Sequence, residues 1–389
     1  MDIKLPDEVK YIINTLENAG YGAYAVGGCV RDSLLGKEPE DWDICTSALP
    51  EQTGKIFKGH NIIKIGLQHG TITIVINHKP FEVTAYRIDG VYSDNRHPDK
   101  VEFTGGLKED LSRRDFTINA MAYSPVGGIV DFFGGAADLR RGLIKCVGDP
   151  DKRFAEDALR VMRALRFAST LGFSIDNYTA RAMHENRGLL KKISPERITA
   201  ELNKLIAGND IDGLLAEHVG IIEEIIPELR IYAFKSVDSV PNDLYLRLAI
   251  LLSGAGPGIA KDILTRLKYD NHTVTVITQL ILYYEADIPP TGKEIKKWLS
   301  KIGEERLRQL IELKGLCAAL PVLNEILEQK QCFSLKGLAV NGKDLIEAGV
   351  PEGAEIGAIL NRLLSMVIDE EIENDKEKLL LEVVQRGAN

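Results

Sequence analysis

Asp41 and Asp43 stand two residues apart in the run Asp41-Trp42-Asp43-Ile44-Cys45. In an extended chain, side chains at i and i+2 point to one face, so the two carboxylates can share divalent cations. Upstream lies Gly27-Gly28, followed by Arg31 and Asp32. A Gly-Gly pair at a strand end lets a backbone N–H approach a phosphate where a Cβ would clash, which gives Gly28 a nucleotide-binding role. A third acid, Glu82, sits in the β-branched context Phe81-Glu82-Val83 and could join the carboxylates from a neighbouring strand. A phosphate cradle and carboxylates that hold Mg²⁺ are the parts of a two-metal phosphoryl-transfer site. Either fragment alone reads as readily as a plain turn or a solvated acidic loop. Their order and spacing favour the catalytic reading.

Asp157 and Arg160 form a second constellation. In one helix, residues three apart share a face. An acid offers acceptors only and an arginine donors only. Together they can present a protein-made pairing edge that suits cytosine and adenine and rejects guanine and uracil. The plain alternative is a surface ion pair, which contributes about 0.3–0.5 kcal/mol. Arg163 and Arg166 continue the three-residue step, interleaved with Leu159, Met162 and Leu165, which should face the core.

These groups need elements to hold them. Over the first 135 residues the pattern is α/β. It has helical periodicity at 7–19, a short buried strand at 22–26, a helix at 30–35, strands at 41–45, 70–76 and 81–87, and a polar loop at 91–99. From about residue 137 apolar residues recur at three- and four-residue steps. They predict helices over 153–171, 177–187, 195–207, 211–217, 243–253, 258–268, 271–284, 292–301, 303–316, 321–329, 342–348 and 354–369. The fold class is therefore an α/β head followed by an all-α helical body.

Composition sets the outer bounds. The chain has 389 residues, is 44% hydrophobic and 27% charged, and carries a net charge of −9. Five cysteines, none in a CxxC pair, argue against a disulfide scaffold or zinc site. No apolar run reaches the ~18–20 residues of a membrane span, and the N-terminus lacks a secretion-signal layout, so no membrane and a cytoplasmic location are expected. Acidic bulk charge disfavours nucleic acid, yet residues 160–197 hold eight Lys/Arg against three acids, while acids crowd 369–375.

The run 27–51 resembles the active-site signature of class II tRNA nucleotidyltransferases and bacterial poly(A) polymerases, within the DNA polymerase beta-like superfamily. Residues 113–121 (RRDFTINAM) resemble its second motif, 153–160 (RFAEDALR) its base-reading motif and 194–198 (SPERI) the helix start that follows. Residues 340–349 (VNGKDLIEAG) are similar to the tail of bacterial CCA-adding members. The resemblance implies a nucleotidyltransferase palm in the head and addition of C, C and A from CTP and ATP to the 3′ end of tRNA, with Mg²⁺. It implies a catalytic head at 1–136, a base-reading neck at 137–207, a body at 208–290 and a tRNA-binding tail at 291–389. Arg31 and Arg114 then contact the triphosphate, and Arg163 and Arg166 meet phosphates and base. Arg113 could be structural.

Alternatives stay open at this point. A poly(A) polymerase would usually end in a basic extension, and this chain ends acidic. A CC-only enzyme would lack the loop after Glu82, which looks intact. An A-only enzyme keeps that loop. Relatives with a phosphohydrolase domain would show a His-Asp pair near 247–256, and none is there. A non-catalytic RNA-binding protein would not need both aspartates. The chain could be a monomer or a homodimer.

Overall fold

A computed structural model of the chain describes residues 3–64, 66–67, 70–89 and 101–387. The whole loop expected at 91–99, with residues 90 and 100 on either side, lies outside the described residues. By contacts the chain divides into two compact units, Met1–Ile231 and Tyr232–Asn389.

The first unit begins with α1 (Asp7–Asn18), whose Val9, Ile12, Ile13 and Leu16 are fully buried at the i, i+3, i+4, i+7 spacing of one helix face. Then come β1 (Ala23–Val26), α2 (Gly28–Leu34), β2 (Ile44–Thr46), α3 (Pro50–Ile56), β3 (Asn61–Ile63), β4 (Thr71–Ile76), β5 (Lys79–Ala85), β6 (Arg87–Asp89), β7 (Val101–Phe103), α4 (Leu107–Ser112), β8 (Met121–Ser124), β9 (Gly128–Asp131) and α5 (Gly135–Arg141). Seven strands form one sheet in the order β3-β4-β5-β2-β1-β8-β9. Its pairs are antiparallel except β2 with β5, which run parallel. β6 and β7 form a separate antiparallel pair. The sequence reading missed β3, β8 and β9, which are only three or four residues long.

The helical part of this unit follows β10 (Leu143–Ile144). It comprises α6 (Pro150–Glu156), α7 (Leu159–Leu171), β11 (Ser174–Ile175), α8 (Asn177–Asn186), α9 (Pro195–Ile206) and α10 (Ile211–Ile225). The helix expected over 153–171 is thus two helices. Asp157 takes extended dihedrals (φ −140°, ψ 101°) between them, and its Oδ1 accepts from the Leu159 N–H at 3.1 Å. Capping its own backbone competes with continuing the helix, as short polar side chains do. α7 packs along α9.

The second unit is helical: α11 (Leu244–Leu252), α12 (Gly256–Arg266), α13 (Asn271–Tyr283), α14 (Gly292–Ile302), α15 (Glu304–Lys314), α16 (Ala319–Glu328), α17 (Gly342–Glu347), α18 (Ala354–Ile368) and α19 (Lys376–Gly387). The segment Leu244–Arg266 has the length and mean hydropathy, 1.2, of a membrane span. It bends at Gly256 (φ 78°), and Leu246, Leu248 and Ile250 are buried in the unit's own core. The acid-rich end has local partners. Asp369 pairs with Lys293 and Lys297 at 2.7 and 3.0 Å, and Glu370 with Lys296 at 3.0 Å.

Close packing at the start of α5 braces the second motif. A Cβ at Gly135 would lie 2.1 Å from the Thr117 carbonyl oxygen, a backbone atom that cannot swing away. Gly135→Ala is expected to destabilise the first unit by about 1–3 kcal/mol. Chemical denaturation with a wild-type midpoint would refute this packing argument.

Candidate active site

β1 runs into Gly27, whose φ of 86° belongs to the region where glycine is favoured. A Cβ there would lie 2.9 Å from Arg114 Nη1. Gly27 therefore satisfies a backbone requirement and a close approach at once. Gly28 opens α2. Asp41 and Asp43 lie just before β2, and the strand expected at 41–45 starts only at Ile44. Asp43 still continues the ladder, since its carbonyl accepts from the Val26 N–H at 3.0 Å. Both aspartates are exposed. Desolvation by the surrounding protein, with help from Asp41, pushes the Asp43 carboxyl up from its usual range, and Arg114 opposes the rise. Among the described residues neither carboxylate has an ion-pair or hydrogen-bond partner. Two adjacent carboxylates that no ion pair ties up are the donor set a hard divalent cation prefers.

Glu82 lies beside this pair by register. Ile44 pairs with Val83 across the parallel β2–β5 ladder, so the preceding residues, Asp43 and Glu82, are neighbours. Yet among the described residues no three His, Cys, Asp or Glu side chains gather closely enough to cage an ion. A cation on Asp41 and Asp43 would complete its coordination from water and substrate oxygens, as Mg²⁺ commonly does.

The arginines are each held by an acid. Arg31 makes a two-pronged pair with Asp32 (2.8 and 2.9 Å) and donates to Asn119 Oδ1 at 2.7 Å. Arg163 donates twice to Asp115 Oδ2, at 2.8 and 2.5 Å. Arg166 meets Glu201 at 3.1 Å. Arg31, Arg163 and Arg166 place their guanidinium carbons 5.0, 5.4 and 4.0 Å from the centre of the Phe167 ring, within cation–π reach. Burial and the neighbouring Arg163 push Arg166 down from its usual range. Crowding of this sign is relieved by an incoming anion.

Asp157 and Arg160 do not share a helix face, because the chain breaks between them. Asp157 accepts from Arg197 Nη2 at 3.0 Å. Arg160, 8% exposed, donates through Nη1 to Glu156 at 2.8 Å and to the Arg153 carbonyl at 3.0 Å, and through Nη2 to the Arg113 carbonyl at 3.0 Å. Among the described residues this leaves two of its five N–H groups without an acceptor. Leu159, Met162 and Leu165 are buried, as their spacing implied. The basic stretch 181–197 is answered locally: Arg181 pairs with Glu185, and Arg187 and Lys191 with Glu224.

Sequence reasoning gave no role to Asp110, Asp115, Glu156, Phe167, Arg197 or Glu201. Asp115, Glu156 and Arg197 fall inside the motifs it quoted. That signal could have marked them; the partners of Asp115 and Arg197, Arg163 and Asp157, lie far along the chain, whereas Glu156 meets Arg153 and Arg160 close by.

A mixed sheet with a Gly-Gly turn, paired aspartates at the next strand and arginines converging alongside defines a nucleotidyltransferase head of the DNA polymerase beta-like kind. Residues 23–145 match the family described as Poly A polymerase head domain, 172–232 the probable RNA and SrmB-binding site of polymerase A, and 244–383 a putative tRNA nucleotidyltransferase domain 2. The chain is 37% identical to the CCA-adding enzyme of Levilactobacillus brevis, over 97% of this chain and 98% of that one. It is 38% identical to the CCA-adding enzyme of Geobacillus stearothermophilus, over 97% and 96%. Its fold is similar to that of the Bacillus stearothermophilus CCA-adding enzyme solved in complex with CTP. There the TM-score is 0.79 and the identity 33%, with 99% of this chain and 98% of that one covered. The chain belongs to the CCA-adding enzymes, a family of tRNA nucleotidyltransferases that work with divalent metal ions.

Asp115 supplies a test of how the arginines are held. Burial opposes its charge, but Arg163, Asn119 and Arg160 outweigh burial and hold it well below the usual carboxylate range. Its contribution to stability is present above the unfolded carboxylate value of about 3.9 and is lost as pH falls below it. Arg163→Leu strands this buried charge and should cost about 3–5 kcal/mol at pH 7. The gap to wild type should narrow as pH falls below about 4 in denaturation experiments. A gap independent of pH would mean that the pair is not what holds α7 to the motif.

Proposed function

We propose that the chain adds C, C and A in turn to the 3′ end of tRNA, taking CTP and ATP and releasing pyrophosphate without a nucleic acid template. The observation that carries this reading is the Asp41–Asp43 pair, tied into no ion pair among the described residues and set beside the Gly27–Gly28 turn and Arg114, in a chain of this family. Asp41 and Asp43 hold Mg²⁺, and Glu82 stands near enough by register to assist. When bound, the metal neutralises phosphate charge and lowers the pKa of the primer hydroxyl. Gly28 offers its backbone to a phosphate. Arg31, Arg114, Arg163 and Arg166 take the triphosphate and hold the departing pyrophosphate in line.

Base choice then falls to Asp157 and Arg160. Asp157 offers an acceptor to the amino group that cytosine and adenine share, and Arg197 fixes its orientation. The two uncommitted N–H groups of Arg160 match the two acceptors of cytosine and include one for adenine N1. Head 1–136 performs transfer, 137–207 reads the base, and 208–290 and 291–389 hold the tRNA through its backbone and shape. The cytoplasm is the corresponding location.

The decisive assay presents tRNA lacking CCA, and tRNA ending in CC, with each nucleoside triphosphate singly and in pairs. Addition of all three residues from CTP plus ATP is expected, and addition of A alone to the CC-ending substrate would reduce the activity to A addition. Asp41→Ala or Asp43→Ala should abolish transfer while tRNA binding stays near wild type. Asp157→Ala combined with Arg160→Ala should lower the kcat/KM ratio of CTP over UTP by roughly ten- to hundred-fold, the discrimination a bidentate pair supplies. A slower enzyme with an unchanged ratio would assign the pair to the fold.

A further inference from the structure

Asp110, in α4, has no part in the mechanism above. It is among the most buried carboxylates beside the site, with its side chain 1% exposed. Three pieces of chain meet on it. Its Oδ1 accepts from Arg113 Nε at 3.1 Å and Nη2 at 3.0 Å, and from the backbone N–H of Arg87, the first residue of β6, at 3.3 Å. Its Oδ2 faces Arg114 Nη2 at 3.6 Å and, though buried, accepts no hydrogen bond among the described residues. One negative charge thus serves two guanidinium groups, and Arg113 takes the short bonds. Arg114 is bounded on its other side by Gly27, where its Nη1 fills the space a Cβ would need, and by Asp43, whose charge it stabilises.

We propose that Asp110 is a positioning residue for nucleotide binding, which holds Arg114 across the Gly27 turn by charge while leaving its directional N–H groups for the triphosphate. This rests on the reading of Arg114 as a triphosphate ligand. The 3.6 Å separation carries the argument. Coulomb attraction falls only as 1/r, so the carboxylate still restrains the cation, whereas hydrogen bonding at that distance is largely gone. Arg163 shows the contrast, committed to Asp115 by two short bonds. The Arg87 N–H and the two Arg113 bonds anchor the carboxylate, so its charge stays in place when an anion draws Arg114 outward.

The test is Asp110→Asn, which keeps the shape and removes the charge, compared with Arg114→Ala and with the double variant. Asp110→Asn should raise KM for CTP and ATP about tenfold, the scale of one charge-assisted contact, with kcat changed far less. In the Arg114→Ala background it should add nothing further, because contacting residues that act as one do not add. A wild-type KM in Arg114→Ala would overturn the reading of Arg114 itself. A raised KM in Arg114→Ala with a wild-type KM in Asp110→Asn would overturn the positioning role alone, as would effects that multiply in the double variant. Circular dichroism checks the fold. Should Asp110→Asn not fold, Asp110→Glu keeps the buried charge but displaces it by one methylene. It should raise KM only where Arg114 is present, and a wild-type KM or an additive effect would overturn the proposal.

Discussion

Guanidinium groups repel one another, and this site needs several of them within a few ångströms. The structure meets that constraint by setting a carboxylate beside every one of these arginines, in one case a carboxylate shared by two. Asp32 holds Arg31, Asp115 holds Arg163, Glu201 holds Arg166, Glu156 holds Arg160, and Asp110 stands behind Arg113 and Arg114. The Phe167 ring adds a face on which three of the cations can lie without an opposing full charge. The acids come from α2, α4, the turn after α4, α6 and α9. Packing of α7 along α9 is therefore as much an electrostatic necessity as a hydrophobic one, since without α9 Arg166 would lose its counter-ion.

Much of this was legible in the residues. The Gly-Gly turn was readable because its geometry is local, whereas the strand expected to carry the two aspartates begins only after them, at Ile44. The interleaving of arginines with Leu159, Met162 and Leu165 was readable because a helix repeats within a few residues. What failed was a question of continuity. Asp157 and Arg160 have the spacing of helical neighbours, and no Gly or Pro marks the break between α6 and α7. The break comes from the Asp157 side chain capping the Leu159 N–H, a choice that one residue's chemistry permits and its spacing conceals.

The remainder was hidden by distance along the chain. Arg197 and Asp157 are forty positions apart, and Glu201 and Arg166 thirty-five. No periodicity encodes such pairs. Charge totals misled in the same way. The basic run at 181–197 and the acidic run at 369–375 look like surfaces waiting for partners, yet each finds much of its counter-charge within its own unit. Asp369 is held down to about 2 by hydrogen bonds from Lys293 and Lys297.

The arginine–carboxylate pairs have a further consequence through their burial. Arg166 and Glu201 are each about nine-tenths withdrawn from solvent. Mobile ions screen charges on open surface within a Debye length of roughly 8–10 Å, but they act weakly on charges the protein encloses. If the triphosphate binds beside these arginines, as proposed, it would meet charges that bulk electrolyte screens only weakly. A polynucleotide backbone lying on exposed surface exchanges condensed counterions as it binds and feels every change in their concentration. On that placement the two substrates would sit in different ionic climates, and the strength of the surrounding salt would act as a dial that turns one affinity more than the other.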